Sequence, residues 1–153
     1  MVKRVLYISY DGMTDPLGQS QVIPYLKGLS HIGYRLTIVS AEKKESFSRQ
    51  GEAIKEILTA SNIKWQPVHY SNRFPGISAY TTYQRLRKKA LQLEQEQHFD
   101  IVHCRSYIPA LIGGELKKNS GLKFIFDMRG FWADERVEGG IWNLKHPLYR
   151  KAF

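Results

Sequence analysis

The chain has 153 residues, 42% hydrophobic and 12% aromatic, which excludes intrinsic disorder and suits one domain spanning 1–153. A single cysteine, Cys104, excludes an internal disulfide framework and a cysteine-built zinc site. A net charge of +9 with a pI near 9.7 calls for a partner of opposite sign, and nucleic acid, anionic lipid and phosphorylated small molecules all qualify.

No stretch approaches the roughly 20 apolar residues of a membrane span, and the amino terminus is too short in apolar residues for a secretory signal. A cytoplasmic location is therefore the default expectation.

In chain order, residues 5–9 read as a strand, followed by a polar loop over 10–19 and a helix over 19–32. That helix places Val22, Tyr25, Leu26, Leu29 and Ile32 on one face, with Ser20 as its cap, Pro24 in its first turn and Gly33 as its stop. A second strand over 36–40 precedes a helix over 45–60 that turns Phe47, Ile54, Ile57 and Leu58 inward. A third strand over 63–70 leads through a turn at Pro75 and Gly76 to a helix over 78–97 with Tyr83, Leu86, Ala90 and Leu93 inward. The fourth strand, 101–104, a helix over 107–119 and the fifth strand, 124–128, complete the alternation. Beyond it, 142–153 begins an amphipathic segment with no closing cap, as one half of a larger protein would.

Short apolar strands alternating with helices predict an α/β, Rossmann-like, doubly wound parallel sheet of order 3-2-1-4-5 with helices on both faces. Ligands of such sheets bind where the first and fourth strands diverge. That rule gathers the loops after Tyr10, His103 and Met128.

The first loop carries Gly12 and Gly18 and lacks the G-x-G-x-x-G spacing of a dinucleotide fingerprint. As structure alone the two glycines are turn residues; at the switch point before a helix start they let a ligand approach the backbone. Asp11 and Asp15 repel a bare phosphate, so a sugar-facing loop suits them better. Glu42, just past the second strand, is placed to grip a ribose, although the glycine fingerprint that normally accompanies that role is missing.

At the end of the fourth strand, His103 and Arg105 point the same way by strand alternation. Arg105 can hold a phosphate or carboxylate through two parallel bonds, whereas Cys104 has no activating base. After the fifth strand, Asp127, Arg129, Phe131, Trp132, Asp134 and Glu135 set carboxylates beside aromatics. That combination suits a carbohydrate; an ion-paired loop with its rings on the core is the structural alternative. Metal ligation is poorly supported, with no Asp-x-Asp and no H-E-x-x-H, and there is neither a P-loop nor a G-x-S-x-G.

On these pieces the chain resembles the amino-terminal half of a family 4 glycosyltransferase of the GT-B fold. The matching residues are Asp11 and Gly12; Gly18, Gln19, Ser20, Gln21 and Val22; Leu26, Leu29, Gly33, Tyr34 and the strand that follows; Phe99, Asp100, His103, Arg105 and Ser106; and Phe126, Asp127, Arg129, Gly130 and Trp132. They span nearly the whole chain, while 46–97 matches in pattern alone. The resemblance implies retaining transfer from a nucleotide-sugar donor to a saccharide or lipid-linked acceptor, with no metal or other cofactor. It also implies that a second Rossmann-like domain, bearing an E-x7-E motif, holds most of the donor, so that this half binds the acceptor and is inactive alone.

Gly12 and Gly18 would then approach the donor phosphates, and Gln19, His103, Arg105, Arg129, Trp132 and Asp134 would contact substrate. His103 and Asp127 are the candidates for a catalytic role. Relatives often carry H-x-H where this chain has His103, Cys104 and Arg105, so Arg105 could instead read a charged acceptor. Arg85, Arg87, Lys88 and Lys89 on the third helix form either a solvated face or a patch for anionic membrane, at about 1 kcal/mol per residue. The rival readings are a stand-alone nucleotide- or phosphate-binding flavodoxin-like module and, last, a nucleic-acid-binding domain. The last is disfavoured because the aromatics gather at strand ends while the basic residues sit on a helix, so no nucleic-acid partner is expected.

Overall fold

A computed structural model describes residues 2–71 and 77–130. Five strands, β1 (Arg4–Ser9), β2 (Arg35–Glu42), β3 (Lys64–His69), β4 (Ile101–Arg105) and β5 (Lys123–Asp127), form one parallel sheet in the order β3-β2-β1-β4-β5. The helices are α1 (Ile23–His31), α2 (Lys44–Ala60), α3 (Ile77–Gln97) and α4 (Tyr107–Ser120), with a π-helical turn over Gly18–Val22 leading into α1. The expected fold class and strand order are those observed. Strand alternation divides the core in two. Leu6, Ile8, Val39, Val102 and Cys104 pack with Leu86, Ala90, Leu93, Ile112 and Leu116 of α3 and α4. Val5, Tyr7, Leu36 and Ile38 pack on the opposite face with Val22, Ile23 and Leu26, and with Ile54 and Leu58 of α2.

Four details of the helices differ from expectation. Helical backbone already begins at residue 16, so Ser20 lies inside it and its hydroxyl donates to the Pro16 carbonyl instead of capping. Pro24 is thus interior to a helical run. It cannot donate, and its ring crowds the carbonyl four residues back; the preceding turn widens, with the Ile23 N–H reaching Gly18 O. The inner face centres on Leu26 with Val22 and Ile23, which leaves Tyr25 48% and Ile32 72% exposed. In α2 the buried residues are Gly51, Ile54 and Leu58, while Ile57 faces outward and Phe47 leans across Trp65 at 5.7 Å.

The ladder also fixes the height of the site. Ser9 pairs with Ser40 on one side and with Arg105 on the other, and Arg105 pairs with Asp127. The ends of β1, β4 and β5 therefore stand level. β2 runs two residues further than its apolar run, to Glu42, whose partner in β3 is His69. β5 is an edge strand among the described residues, with Ile125 and Phe126 partly exposed, so the expectation of two covered faces holds for β1, β2 and β4 and not there.

Candidate functional site: a cleft at the strand ends

The first loop is held from below by a buried carboxylate. Glu42 Oε1 accepts from the Met13 N–H at 2.7 Å and from the Ser40 hydroxyl at 2.6 Å. Its Oε2 accepts from the Thr14 N–H at 3.1 Å and from the Thr14 hydroxyl at 2.6 Å. Ser40 in turn accepts from the Trp65 indole at 2.8 Å. Glu42 is thus a loop anchor, and the ribose-gripping role expected of it fails because all these bonds point into the protein. Lys43 pairs with Asp15 at 3.1 Å, and Asp15 Oδ2 accepts from the Gly12 N–H, so one of the two loop carboxylates is already satisfied.

Both loop glycines are required by close approach. A Cβ on Gly12 would sit 2.6 Å from Glu42 Oε2, and one on Gly18 would sit 2.2 Å from the Gly12 carbonyl oxygen. Their missing side chains make room for protein, so a ligand would meet the loop at other edges of its backbone. Gln19 donates to the Thr14 carbonyl and to Gln50 on α2, which turns its amide into the loop.

On the α1 face, where β1, β4 and β5 end, lies a cleft of about 410 Å³. Tyr7, His103 and Ile125 form its floor, Tyr25 and Gln21 one wall, and Arg105, Asp127 and Arg129 its rim. Gln21 Oε1 accepts from Arg105 Nη2 at 2.9 Å and from Arg129 Nη2 at 2.7 Å. The carboxylates stand further off: Asp127 lies 3.8 Å from Arg105 and 3.7 Å from Arg129, and Asp11 Oδ2 lies 3.6 Å from Arg105 Nε. Arg105 Nε and the Ser9 hydroxyl, partners in the ladder, are buried and make no hydrogen bond.

His103 is buried edge-on against Tyr7 at 4.9 Å and Tyr25 at 5.8 Å. Burial lowers its pKa below 6.5, and the Asp127 carboxylate opposes that shift only in part. A neutral imidazole can both donate and accept a hydrogen bond at the cleft floor. Burial likewise raises the Tyr7 and Tyr25 hydroxyls. It pushes the Cys104 thiol up to about 12, which agrees with an inert cysteine on the opposite face.

The chain leaves β4 through strained backbone. Ser106 has φ 70° and ψ 179°, a conformation that costs a non-glycine residue about 1–3 kcal/mol. Its N–H donates to the Asp127 carbonyl at 2.9 Å, and Tyr107 donates from its hydroxyl to the Gly130 carbonyl at 2.9 Å. These bonds tie the segment after β5 to the start of α4.

The structure therefore brings together His103, Arg105, Asp127 and Arg129, with Asp11 beside Gly12 at their edge. It sets Gly18 and Gln19 on the inner side of the loop. Trp132 and Asp134, with Phe131, Pro75, Gly76 and the segment 142–153, lie outside the described residues. Gln21, Tyr7 and Tyr25 were not singled out by their chemistry in the sequence. Gln21 and Tyr25 stand one helical turn apart, and that spacing is the signal that pairs them on one wall.

Among the basic residues of α3, Arg87 forms a fork with Glu115 of α4, through two bonds that include one from Nε at 2.6 Å. Arg85 donates to the His69 carbonyl, and Lys88 is exposed. Among the described residues no cluster of His, Cys, Asp or Glu could hold a metal ion, and no helix is long and apolar enough to cross a membrane.

The pH dependence follows from His103. Its native pKa lies below the unfolded value of 6.5, so the unfolded chain binds the proton more readily. Stability is therefore full above that value and falls as pH drops towards the native pKa. Urea midpoints measured from neutral pH downwards should show that loss, and His103→Gln should flatten it. A native imidazole titrating above the unfolded value contradicts this.

Comparison of the sequence with protein-family models and with curated proteins finds no match. Solved structures do match in fold. The C-terminal domain of a hydrogenase from Pyrococcus furiosus aligns with a TM-score of 0.62 at 19% identity, over 82% of this chain and 91% of that domain. The calicheamicin glycosyltransferase CalG4 aligns with a TM-score of 0.62 at 11% identity, over 99% of this chain and 39% of its own. The glycotransferase of kitacinnamycin aligns with a TM-score of 0.55 at 12% identity, over 82% of this chain and 30% of its own. The chain thus spans well under half the length of either transferase. At these identities the likeness establishes a shared α/β, Rossmann-like fold.

Proposed function

We propose that the chain is the acceptor-binding half of a glycosyltransferase that moves a sugar from a nucleotide-sugar donor to a glycan or lipid-linked acceptor with retention of configuration. The observation that carries this reading is convergence: Asp11 beside Gly12, Arg105 at the end of β4 and Arg129 after β5 meet at one cleft. Guanidiniums that donate, carboxylates that accept and aromatic edges along one wall are what a polyhydroxylated ring needs. The shared fold with parts of two glycosyltransferases supports the reading.

In this account a second Rossmann-like domain holds the donor nucleotide and closes over the first loop, whose backbone meets the phosphates. The acceptor hydroxyl oxygen attacks the anomeric carbon as the bond to the nucleotide phosphate breaks. Its proton passes to the departing phosphate, so the step needs no metal and no strong base. His103 and Asp127 orient the hydroxyl, Trp132 and Asp134 extend the sugar contacts, and Gly12, Gly18 and Gln19 shape the loop.

The test is transfer by the protein encoded by the complete reading frame, assayed with a panel of nucleotide sugars. Arg129→Gln should raise the acceptor KM about tenfold and leave the donor KM unchanged. A rise in the donor KM instead, or no transfer from any nucleotide sugar, sinks the proposal. The likeness to a hydrogenase domain of nearly the same extent favours a second reading, a stand-alone nucleotide- or phosphate-binding module. Under that reading the 153-residue chain binds a nucleotide by itself and transfers no sugar.

A lipid-linked acceptor would place the enzyme at the inner face of the membrane through α3. Glu115 neutralises Arg87, which leaves the charges of Arg85, hydrogen-bonded only to the His69 carbonyl, and of the neighbouring Lys88 and Lys89, all within one helical turn, as the attracting set. Co-sedimentation with anionic vesicles should fall when these three become Gln. Binding unchanged by those substitutions removes the membrane role.

A further inference from the structure

We infer that the acceptor bears an oxyanion, a carboxylate or a phosphate ester, and that Arg105 and Arg129 read it at the place Gln21 now occupies. The saccharide part of this inference rests on the transferase reading above; the anionic part rests on the geometry of the cleft.

The guanidinium of Arg105 is 5% exposed, yet its side-on edge is only half used. Nη2 donates to Gln21 Oε1 at 2.9 Å, while Nε, on that same edge, makes no hydrogen bond. Two parallel N–H groups fit the two oxygens of a carboxylate or phosphate; one carboxamide oxygen can satisfy only one of them. Arg129 converges on that same oxygen, at 2.7 Å. Two cations sharing one neutral acceptor is an arrangement that a charged acceptor improves.

Neither nearby carboxylate fills this role. Asp127 faces the Nη1 atoms of both arginines, at 3.8 and 3.7 Å, and leaves the side-on edge of Arg105 open. Asp11 does approach that edge, but its Oδ2 stands 3.6 Å from Nε, beyond a hydrogen bond, and its side chain is 44% exposed. Asp11 is thus a rival that can turn out into water when an anion arrives. Gln21 lies on an exposed side of the helical wall and can swing aside in the same way.

Titration calorimetry on the 153-residue chain tests this with four probes: a methyl glucoside, the matching methyl glucuronide, a glucose phosphate and inorganic phosphate. Both acidic saccharides should bind about tenfold more tightly than the neutral one. Arg105→Lys, which keeps the charge and loses the fork, should abolish that preference. Asp11→Asn, an exposed change that leaves folding intact, should instead strengthen acidic binding about threefold by removing the rival. Equal affinity for neutral and acidic saccharides, or no gain with Asp11→Asn, overturns the anionic assignment and leaves the transferase reading standing. Binding of inorganic phosphate with no saccharide bound overturns both.

Discussion

The first loop at the strand ends depends on one buried carboxylate. Moving an ion such as Glu42 out of water costs several kcal/mol, and among the described residues no cation pairs with it to offset that cost. Four hydrogen bonds do so instead, each worth about 1.5–3 kcal/mol when the acceptor is charged. Two of the donors are backbone N–H groups of Met13 and Thr14, so the bonds set the loop's path as well as satisfying the ion. Gly12 then has to be glycine because Glu42 occupies its Cβ position, and Gly18 because Gly12 has come so near. A loop fixed before any ligand arrives spares binding the entropy of ordering it.

The cleft beside this loop is rich in charge and poor in firm ion pairs. Arg105, Arg129, Asp127 and Asp11 compensate one another in sign, yet the three ion pairs they form stand between 3.6 and 3.8 Å. Partly exposed pairs at that range contribute little, about 0–1 kcal/mol, so they do not explain why a nearly buried arginine is kept there. Their looseness fits a site in which donors are held in readiness rather than used up by internal bonds. The strained Ser106, the neutral His103 and the unpartnered Arg105 Nε crowd within the same few residues of β4. Unfilled buried polar atoms cost stability, and among the described residues the two side-chain atoms without a partner, Arg105 Nε and the Ser9 hydroxyl, both lie at this end of the sheet.

How much of this could be read from the chain differs by level. The alternation of apolar runs with helical periods was enough for the sheet and its order, because connection rules leave few choices once five strands are recognised. Strand alternation also put His103 and Arg105 on one side, where they are. The helical faces were harder: counting apolar residues made Tyr25 and Ile32 part of the core, whereas Ile23 packs there and Tyr25 walls the cleft. The widened turn before Pro24 is a response to a missing donor, which no periodicity encodes. Glu42 was visible as a strand-end acid, but its bonds to residues 28 and 29 positions earlier form only after the sheet has brought them together. Gln21 was visible only as part of the family resemblance and not as a contact, since a carboxamide acquires meaning only from the two arginines that meet on it.

The claim that a preset loop defines the site is tested most directly by hydrogen exchange at the Met13 and Thr14 amides. In the free protein both should exchange as slowly as amides of β1, and Glu42→Gln should speed exchange at these two while the strand stays protected. Exchange at the rate of an open loop in the unaltered protein would contradict it, for the anchor would then not be holding the strand-end loop in place.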